Sequence, residues 1–78
     1  MHTIEVLGSG CANCKRLEQN AREAIETTGI DAQIVKVTDD AEIVTYGILS
    51  TPGLVIDGRI VSYGSVPSAR DIAAWLSE

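Results

Sequence analysis

The chain has 78 residues, so we expect a single domain spanning residues 1–78. A chain this short buries only about 60% of its unfolded surface and cannot support a second core. Apolar residues make up 45% of it and charged residues 22%, the balance of a globular protein rather than of a disordered or membrane protein. The net charge is −5 and the six Lys and Arg residues form no stripe, which excludes the basic surface that nucleic-acid binding requires.

Cysteine use and the absence of apolar runs indicate where the protein works. No run approaches the roughly 20 apolar residues that cross a bilayer, and the first residues do not resemble a signal peptide. We therefore expect a cytoplasmic protein with no membrane partner. Two cysteines are far too few for the disulfide framework of a small secreted domain. In a reducing compartment, such a pair is expected to serve a chemical purpose.

The first part of the chain predicts a strand followed by a helix. Residues 2–7 alternate between apolar and polar side chains, as in a half-buried strand, and the Gly-Ser-Gly run at 8–10 ends it. From residue 13 to residue 28, apolar side chains recur at steps of three and four, which indicates an amphipathic helix. Gly29 suits the position that follows the helix C-terminus.

A second strand and a short helix follow. Residues 32–37 are rich in β-branched side chains, which favour a strand. Thr38, Asp39 and Asp40 supply N-cap candidates and first-turn negative charge for a short helix that reaches about Tyr46. The dipeptide Asp57-Gly58 then predicts a two-residue type I′ hairpin, because both of its positions require positive φ.

The hairpin strands are expected at residues 54–56 and 59–63, and a final helix is expected to be capped by Ser65 or Val66, with Pro67 in its first turn. The order is βαβαββα, which predicts an α/β fold. The first two strands form a parallel pair joined by a right-handed crossover helix, and the hairpin extends the same sheet antiparallel. The sequence therefore predicts a mixed four-stranded sheet with helices on both faces.

The chemistry is expected at Cys11 and Cys14, which lie where the first strand gives way to the first helix. The unpaired N–H groups and the positive end of the helix dipole stabilise a thiolate there. Cys11, the more exposed, should be the nucleophile, and Cys14, one turn in, should resolve a mixed disulfide. Lys15 and Arg16 either add positive potential or point to solvent. A structural staple is disfavoured because a loop of about four residues contributes only about 2 kcal/mol, but the spacing alone leaves redox work and metal binding equally open.

The segment Cys11-Ala12-Asn13-Cys14, read together with Tyr46-Gly47-Ile48-Leu49-Ser50-Thr51-Pro52, resembles the thioredoxin superfamily. The resemblance implies that Pro52 is a cis-proline facing the disulfide and that Thr51 offers backbone hydrogen bonds to an extended substrate. Asn13 and Lys15 would support the same site. The likeness covers nearly the whole chain and implies a minimal thioredoxin-like fold, similar to the small, glutaredoxin-sized redox proteins of prokaryotes.

The resemblance implies a thiol-disulfide oxidoreductase that needs no cofactor. Its partners would be disulfide-containing proteins or small-thiol substrates together with a reductase, and we expect a monomer. Several residues depart from the family pattern. Gly10 stands where thioredoxins usually have Trp, and Tyr63-Gly64-Ser65 replaces the Gly-Gly pair with which glutaredoxins hold glutathione. No acidic residue matches the buried aspartate that assists proton transfer in thioredoxins, since Glu5 alternates to the polar side of its strand.

A soft-metal chaperone is the alternative function. Residues 8–14 also resemble the metal loop of small heavy-metal-associated domains, in which two thiolates hold Cu(I). Those domains run strand, helix, strand, strand, helix, strand, and usually have Met where this chain has Ser9. Structural zinc is not expected, because His2, Cys11 and Cys14 supply at most three of four ligands. A non-catalytic interaction domain with the same fold is a third interpretation.

Overall fold

The computed structural model describes residues 1–78. Its strands are β1 (His2–Leu7), β2 (Ala32–Val37), β3 (Gly53–Ile56) and β4 (Arg59–Tyr63), and its helices are α1 (Ala12–Thr28), α2 (Asp40–Val44) and α3 (Ala69–Leu76). The chain order β1-α1-β2-α2-β3-β4-α3 confirms the predicted α/β arrangement. None of the helices is both long and apolar enough to span a membrane.

The four strands form one mixed sheet in the order β2-β1-β3-β4. β1 runs parallel to β2, as expected for two strands joined by the crossover helix α1, and antiparallel to β3. β3 and β4 form the predicted hairpin, with a register shift between Leu54 and Val55 that the sequence pattern did not indicate. β1 is one of the two central strands. Its C-terminal end, and the cysteines that follow, therefore lie near the middle of one end of the sheet.

Helices cover both faces of the sheet, as predicted. The larger apolar cluster lies between the sheet and the helices α1 and α3, and its buried members are Ile4, Val6, Leu17, Ala21, Ala24, Leu54, Ile56, Ile72 and Leu76. The smaller cluster lies on the opposite face beneath α2 and consists of Leu7, Val37, Ile43 and Val55. Because side chains alternate along a strand, β1 contributes to both clusters.

The hairpin turn confirms the Asp57-Gly58 prediction, since Asp57 has φ 52° and Gly58 has φ 83°. Its carboxylate also secures the start of β1. Asp57 Oδ1 accepts a hydrogen bond of 2.9 Å from the Thr3 backbone N–H, and Oδ2 lies 2.5 Å from Nδ1 of His2. The hydrogen bond with His2, followed by the one from Thr3, holds the pKa of Asp57 below its ordinary value.

The starts and ends of two helices differ from the predictions. The cap of α3 is Ser68, not Ser65 or Val66, because Ser68 and Asp71 form a reciprocal capping box. Pro67 consequently precedes the cap instead of occupying the first turn, and its carbonyl accepts a hydrogen bond of 2.9 Å from the Asn20 amide. α2 ends at Val44 rather than near Tyr46, and the chain then continues in a turn.

Candidate active site

The two cysteines occupy the first turn of α1. Cys11 is the N-cap residue, with an extended backbone (φ −67°, ψ 165°), and its Sγ accepts a hydrogen bond of 3.2 Å from the Cys14 backbone N–H. The Cys11 carbonyl accepts the first helical hydrogen bond, 3.1 Å from the Lys15 N–H. The sulfur of Cys11 therefore lies at the positive end of the helix, where an anion is stabilised.

Cys11 and Cys14 are joined by a disulfide, with their Cα atoms 5.1 Å apart. The two residues differ sharply in exposure: Cys11 is exposed, whereas Cys14 is only 5% exposed and belongs to the core. A partner thiol or disulfide can therefore approach the sulfur of Cys11 more readily than that of Cys14. The predicted difference in exposure between the two cysteines is confirmed.

Gly8 lies directly behind the sulfur of Cys14. This glycine is buried, and its N–H donates a hydrogen bond of 2.9 Å to the Val37 carbonyl, which continues the parallel ladder beyond the end of β1. A Cβ placed at Gly8 would collide with the Sγ of Cys14 and would lie 3.3 Å from its Cβ. Only glycine leaves room for the sulfur. The Gly-Ser-Gly run by itself predicts only the end of a strand, so this requirement is not visible in the sequence.

Pro52 lies close to Gly8, at the end of β1. The Thr51–Pro52 peptide bond is cis, Pro52 is buried, and Thr51 is exposed. The Cα of Pro52 lies 3.9 Å from the position that a Gly8 Cβ would take, and the Pro52 carbonyl accepts a hydrogen bond of 2.9 Å from the Gly64 N–H. Two segments about 40 residues apart in sequence are thus brought together at the carboxyl end of β1.

A cavity of about 100 Å³ opens beside Cys14, between α1 and the edge strand β2. Its polar lining consists of Lys15, Glu18, Lys36 and Thr38. The Glu18 carboxylate accepts a hydrogen bond of 2.7 Å from Arg22 and lies 3.5 Å from Lys36 Nζ. The hydrogen bond from Arg22 is the main cause that lowers the pKa of Glu18, and the positive charge of Lys36 acts in the same direction.

No local sequence pattern predicts this cavity. The Glu18–Arg22 pair follows from i,i+4 helical spacing, but Lys36 comes from β2 and reaches Glu18 only after the crossover has placed α1 on that face. Lys15 lines the cavity, while Asn13 is exposed on the first turn of α1. The predicted site residues Cys11, Cys14, Thr51, Pro52, Asn13 and Lys15 therefore all lie at this end of the molecule, near the termini of β1 and α1.

Glu5 lies on the other face of the sheet from the cavity. The hydroxyl of Tyr46 donates a hydrogen bond of 3.1 Å to Glu5 Oε2, and Tyr46 packs against the cluster beneath α2. This hydrogen bond, together with desolvation, raises the pKa of the Tyr46 phenol. Glu5 thus lies on the face of β1 opposite Ile4 and Val6, as the alternation along the strand predicted, and its bond to Tyr46 was not predicted.

Comparison with known proteins agrees with this geometry. Residues 2–77 match the family described as "Thioredoxin domain". A thioredoxin of Methanothermobacter thermautotrophicus is 43% identical over 77 residues, which cover 99% of this chain and 100% of that protein. A thioredoxin of Methanocaldococcus jannaschii is 43% identical over 72 residues, which cover 92% of this chain and 83% of that protein.

The copper-chaperone alternative is not favoured. A helix, α2, separates β2 from the hairpin, and a helix rather than a strand ends the chain, so the element order is not that of heavy-metal-associated domains. The disulfide between Cys11 and Cys14, the cis peptide bond at Pro52 and the two homologues agree with one interpretation. The chain belongs to the thioredoxin family and is a thiol-disulfide oxidoreductase that acts on disulfide substrates.

Proposed function

We propose that Cys11 is the attacking thiolate of this oxidoreductase and Cys14 its resolving thiol. The observation that carries the assignment is the contrast between the two residues: Cys11 is an exposed N-cap, and Cys14 is buried one turn further along the same helix. A thiolate at the helix start is stabilised, so Cys11 is ionised at a lower pH than a free cysteine of pKa about 8.5.

The reaction proceeds by two exchanges. The Cys11 thiolate attacks one sulfur of the substrate disulfide and forms a mixed disulfide, while the other substrate sulfur leaves as a thiolate. The Cys14 thiolate then attacks the sulfur of Cys11 and releases the second substrate sulfur. The protein dithiol loses two electrons and becomes the disulfide, the substrate gains them, and a reductase returns the protein to its dithiol form.

Four residues support these exchanges. Thr51 offers its backbone to an extended substrate segment, and Pro52 faces the disulfide and keeps that segment in register. The exposure of Thr51 and the contact of Pro52 with the Gly8 region support these roles. Asn13 contacts the substrate from the first turn of α1, and Lys15 adds positive potential beside Cys14, in whose cavity wall it lies.

The partners are disulfide-containing proteins or small thiols together with a reductase, and the protein acts as a cytoplasmic monomer without a cofactor. Reductive turnover of a dithiol suits the cytoplasm, where thiols are kept reduced. Tyr63-Gly64-Ser65 lies beside the Pro52 loop, since Gly64 donates to the Pro52 carbonyl. The segment supplies no second glycine there, which argues against a tight glutathione site of the glutaredoxin kind.

Differential alkylation tests the assignment. In the reduced protein, Cys11 should react with iodoacetamide faster than Cys14, and its rate should rise with pH around an apparent pKa below about 8.5. Mass spectrometry of the modified peptides measures both rates. Equal rates near those of free cysteine would contradict the assignment.

Trapping with single variants provides the complementary test. Cys11→Ser should abolish exchange, whereas Cys14→Ser should accumulate mixed disulfides with substrate proteins because no second thiol resolves them.

A redox titration with and without Cu(I) is the control for metal transfer. A defined two-electron potential that Cu(I) leaves unchanged supports redox exchange, and tight binding of one copper ion without turnover supports the metal chaperone.

A further inference from the structure

The buried resolving thiol must lose a proton before it can attack. Resolution requires Cys14 as a thiolate, yet Cys14 is only 5% exposed. Burial disfavours the charged form of a thiol, and direct contact with bulk water is limited. The inference below rests on the proposed roles of Cys11 and Cys14 and concerns the group that accepts this proton.

The cavity beside Cys14 is the route by which the proton can leave. Its volume of about 100 Å³ has room for several water molecules, since one water needs roughly 10–15 Å³ of such space. The titratable side chains that line it are Lys15 and Glu18 from α1 and Lys36 from β2, and Thr38 adds a hydroxyl group. Arg22 lies behind Glu18 and bonds its carboxylate. These are the charged groups that face the cavity.

Glu18 is the only carboxylate in this set. It follows Cys14 by four residues on α1, so the two side chains lie on the same side of the helix one turn apart. The Glu18 side chain is 17% exposed, and Lys36 and Arg22 hold it in place. A lysine ammonium group has three hydrogen-bond donors and no acceptor. Glu5, on the neighbouring strand β1, lies on the opposite face of the sheet and accepts a hydrogen bond from Tyr46.

We propose that Glu18 accepts the proton of the Cys14 thiol through this cavity and returns it when the disulfide is reduced. In the oxidising direction, the S–H bond of Cys14 breaks and its proton passes to the Glu18 carboxylate. The resulting thiolate electron pair forms the bond to Cys11 as the bond from Cys11 to the substrate sulfur breaks, and that sulfur leaves with its electron pair. Glu18 then releases the proton to bulk water. Lys36 is a positioning residue that holds the carboxylate.

Stopped-flow reaction of the reduced protein with excess nitrothiobenzoate disulfide, whose thiolate product is coloured, tests this assignment. The attack of Cys11 on the reagent releases the first equivalent of the coloured thiolate. Resolution by Cys14 releases the second equivalent, at a rate that does not depend on the reagent concentration. Glu18→Gln should leave the first phase within about twofold and slow the second by about tenfold. This is below the usual contribution of about 10²–10⁴-fold from a positioned proton acceptor, because the hydrogen bond from Arg22 and the charge of Lys36 lower the pKa of Glu18 and weaken it as a base. Added acetate should restore the second phase in proportion to its concentration.

Two variants separate proton transfer from charge and from structure. Glu23→Gln removes the same charge from an exposed position of α1 and should change neither phase. Lys36→Met breaks the ion pair but keeps the carboxylate, so its second phase should stay within a few-fold of wild type and show no response to acetate. Circular dichroism verifies that each variant is folded.

The sign of the Glu18→Gln effect is decisive. If Glu18 acted only through its charge, removing it would lower the pKa of Cys14 and make resolution faster. A second phase that is faster or unchanged, or a slow phase that does not respond to acetate, overturns the assignment. A wild-type protein that releases only one equivalent instead overturns the proposed roles of Cys11 and Cys14, and the role of Glu18 with them.

Discussion

Replacing Gly8 with alanine should make the disulfide easier to reduce. The added Cβ would occupy the place of the Cys14 Sγ and would lie 3.3 Å from the Cys14 Cβ. In the oxidised protein, the sulfur cannot move aside because it is bonded to Cys11. In the dithiol form, the side chain of Cys14 can rotate about χ1. The steric cost therefore falls mainly on the oxidised state.

The magnitude follows from the cost of overpacking a core. Forcing one extra methyl group into a filled site costs about 1–3 kcal/mol. Since about 30 mV corresponds to about 1.4 kcal/mol for a two-electron couple, the reduction potential of Gly8→Ala should rise by about 20–65 mV. The oxidised protein should lose stability to urea by the same free energy, whereas the reduced protein should lose less.

Equilibration with glutathione and dithiothreitol buffers, followed by acid quench and mass spectrometry, measures the potential. Gly29→Ala is the matched control, because Gly29 lies at the far end of α1 with φ 68° and no atom near its Cβ position. That variant should lose about 1–2 kcal/mol through backbone strain and keep its potential. A Gly8→Ala potential within about 10 mV of wild type would refute the steric argument.

Three further predictions concern groups outside the disulfide. The pKa of Asp57 is below its ordinary value of 3.8 in the folded protein, so its contribution to stability is present above about pH 4 and is lost as the pH falls through the folded pKa. Urea titrations at several pH values should show this loss in wild type and not in Asp57→Asn. Tyr46→Phe removes the hydrogen bond to Glu5 and should cost about 1 kcal/mol at pH 7. Because the folded pKa of Tyr46 is above its ordinary value of 10.0, that difference should shrink as the pH rises past 10, and unchanged stability at pH 7 would contradict the role of the bond. Ser68→Ala should lower Tm by about 4–8 °C, through the loss of about 1 kcal/mol at the α3 cap; an unchanged thermal melt would show that the capping box is dispensable.

The sequence predicted the elements whose formation depends on neighbouring residues. Alternation marked β1, helical periodicity marked α1, and Asp57-Gly58 marked the hairpin turn, since each pattern acts within a few residues. The same reasoning placed Cys11 at the start of α1. It failed at α3, because Ser65, Val66 and Ser68 are all near the start of the helix. The reciprocal bonds between Ser68 and Asp71 decide between them.

Contacts between distant segments could not be read from local patterns. Nothing near Gly8 in sequence indicates that the sulfur of Cys14 packs against it, since the contact arises when α1 folds back over the end of β1. Lys36 interrupts an apolar strand and looks like an ordinary exposed residue. Its position opposite Glu18 requires the parallel pairing of β1 and β2 with α1 crossing over them.

The sequence by itself placed two thiols three residues apart at the start of an amphipathic helix, where the helix dipole stabilises a thiolate, with the first thiol the more exposed. Only the tertiary structure decided how completely Cys14 is shielded and which groups surround it. Gly8 leaves room for the sulfur of Cys14 because it has no side chain, and the cavity beside Cys14 is lined by one carboxylate. Burial and cavities depend on how whole elements pack, and local sequence patterns carry no information about that packing.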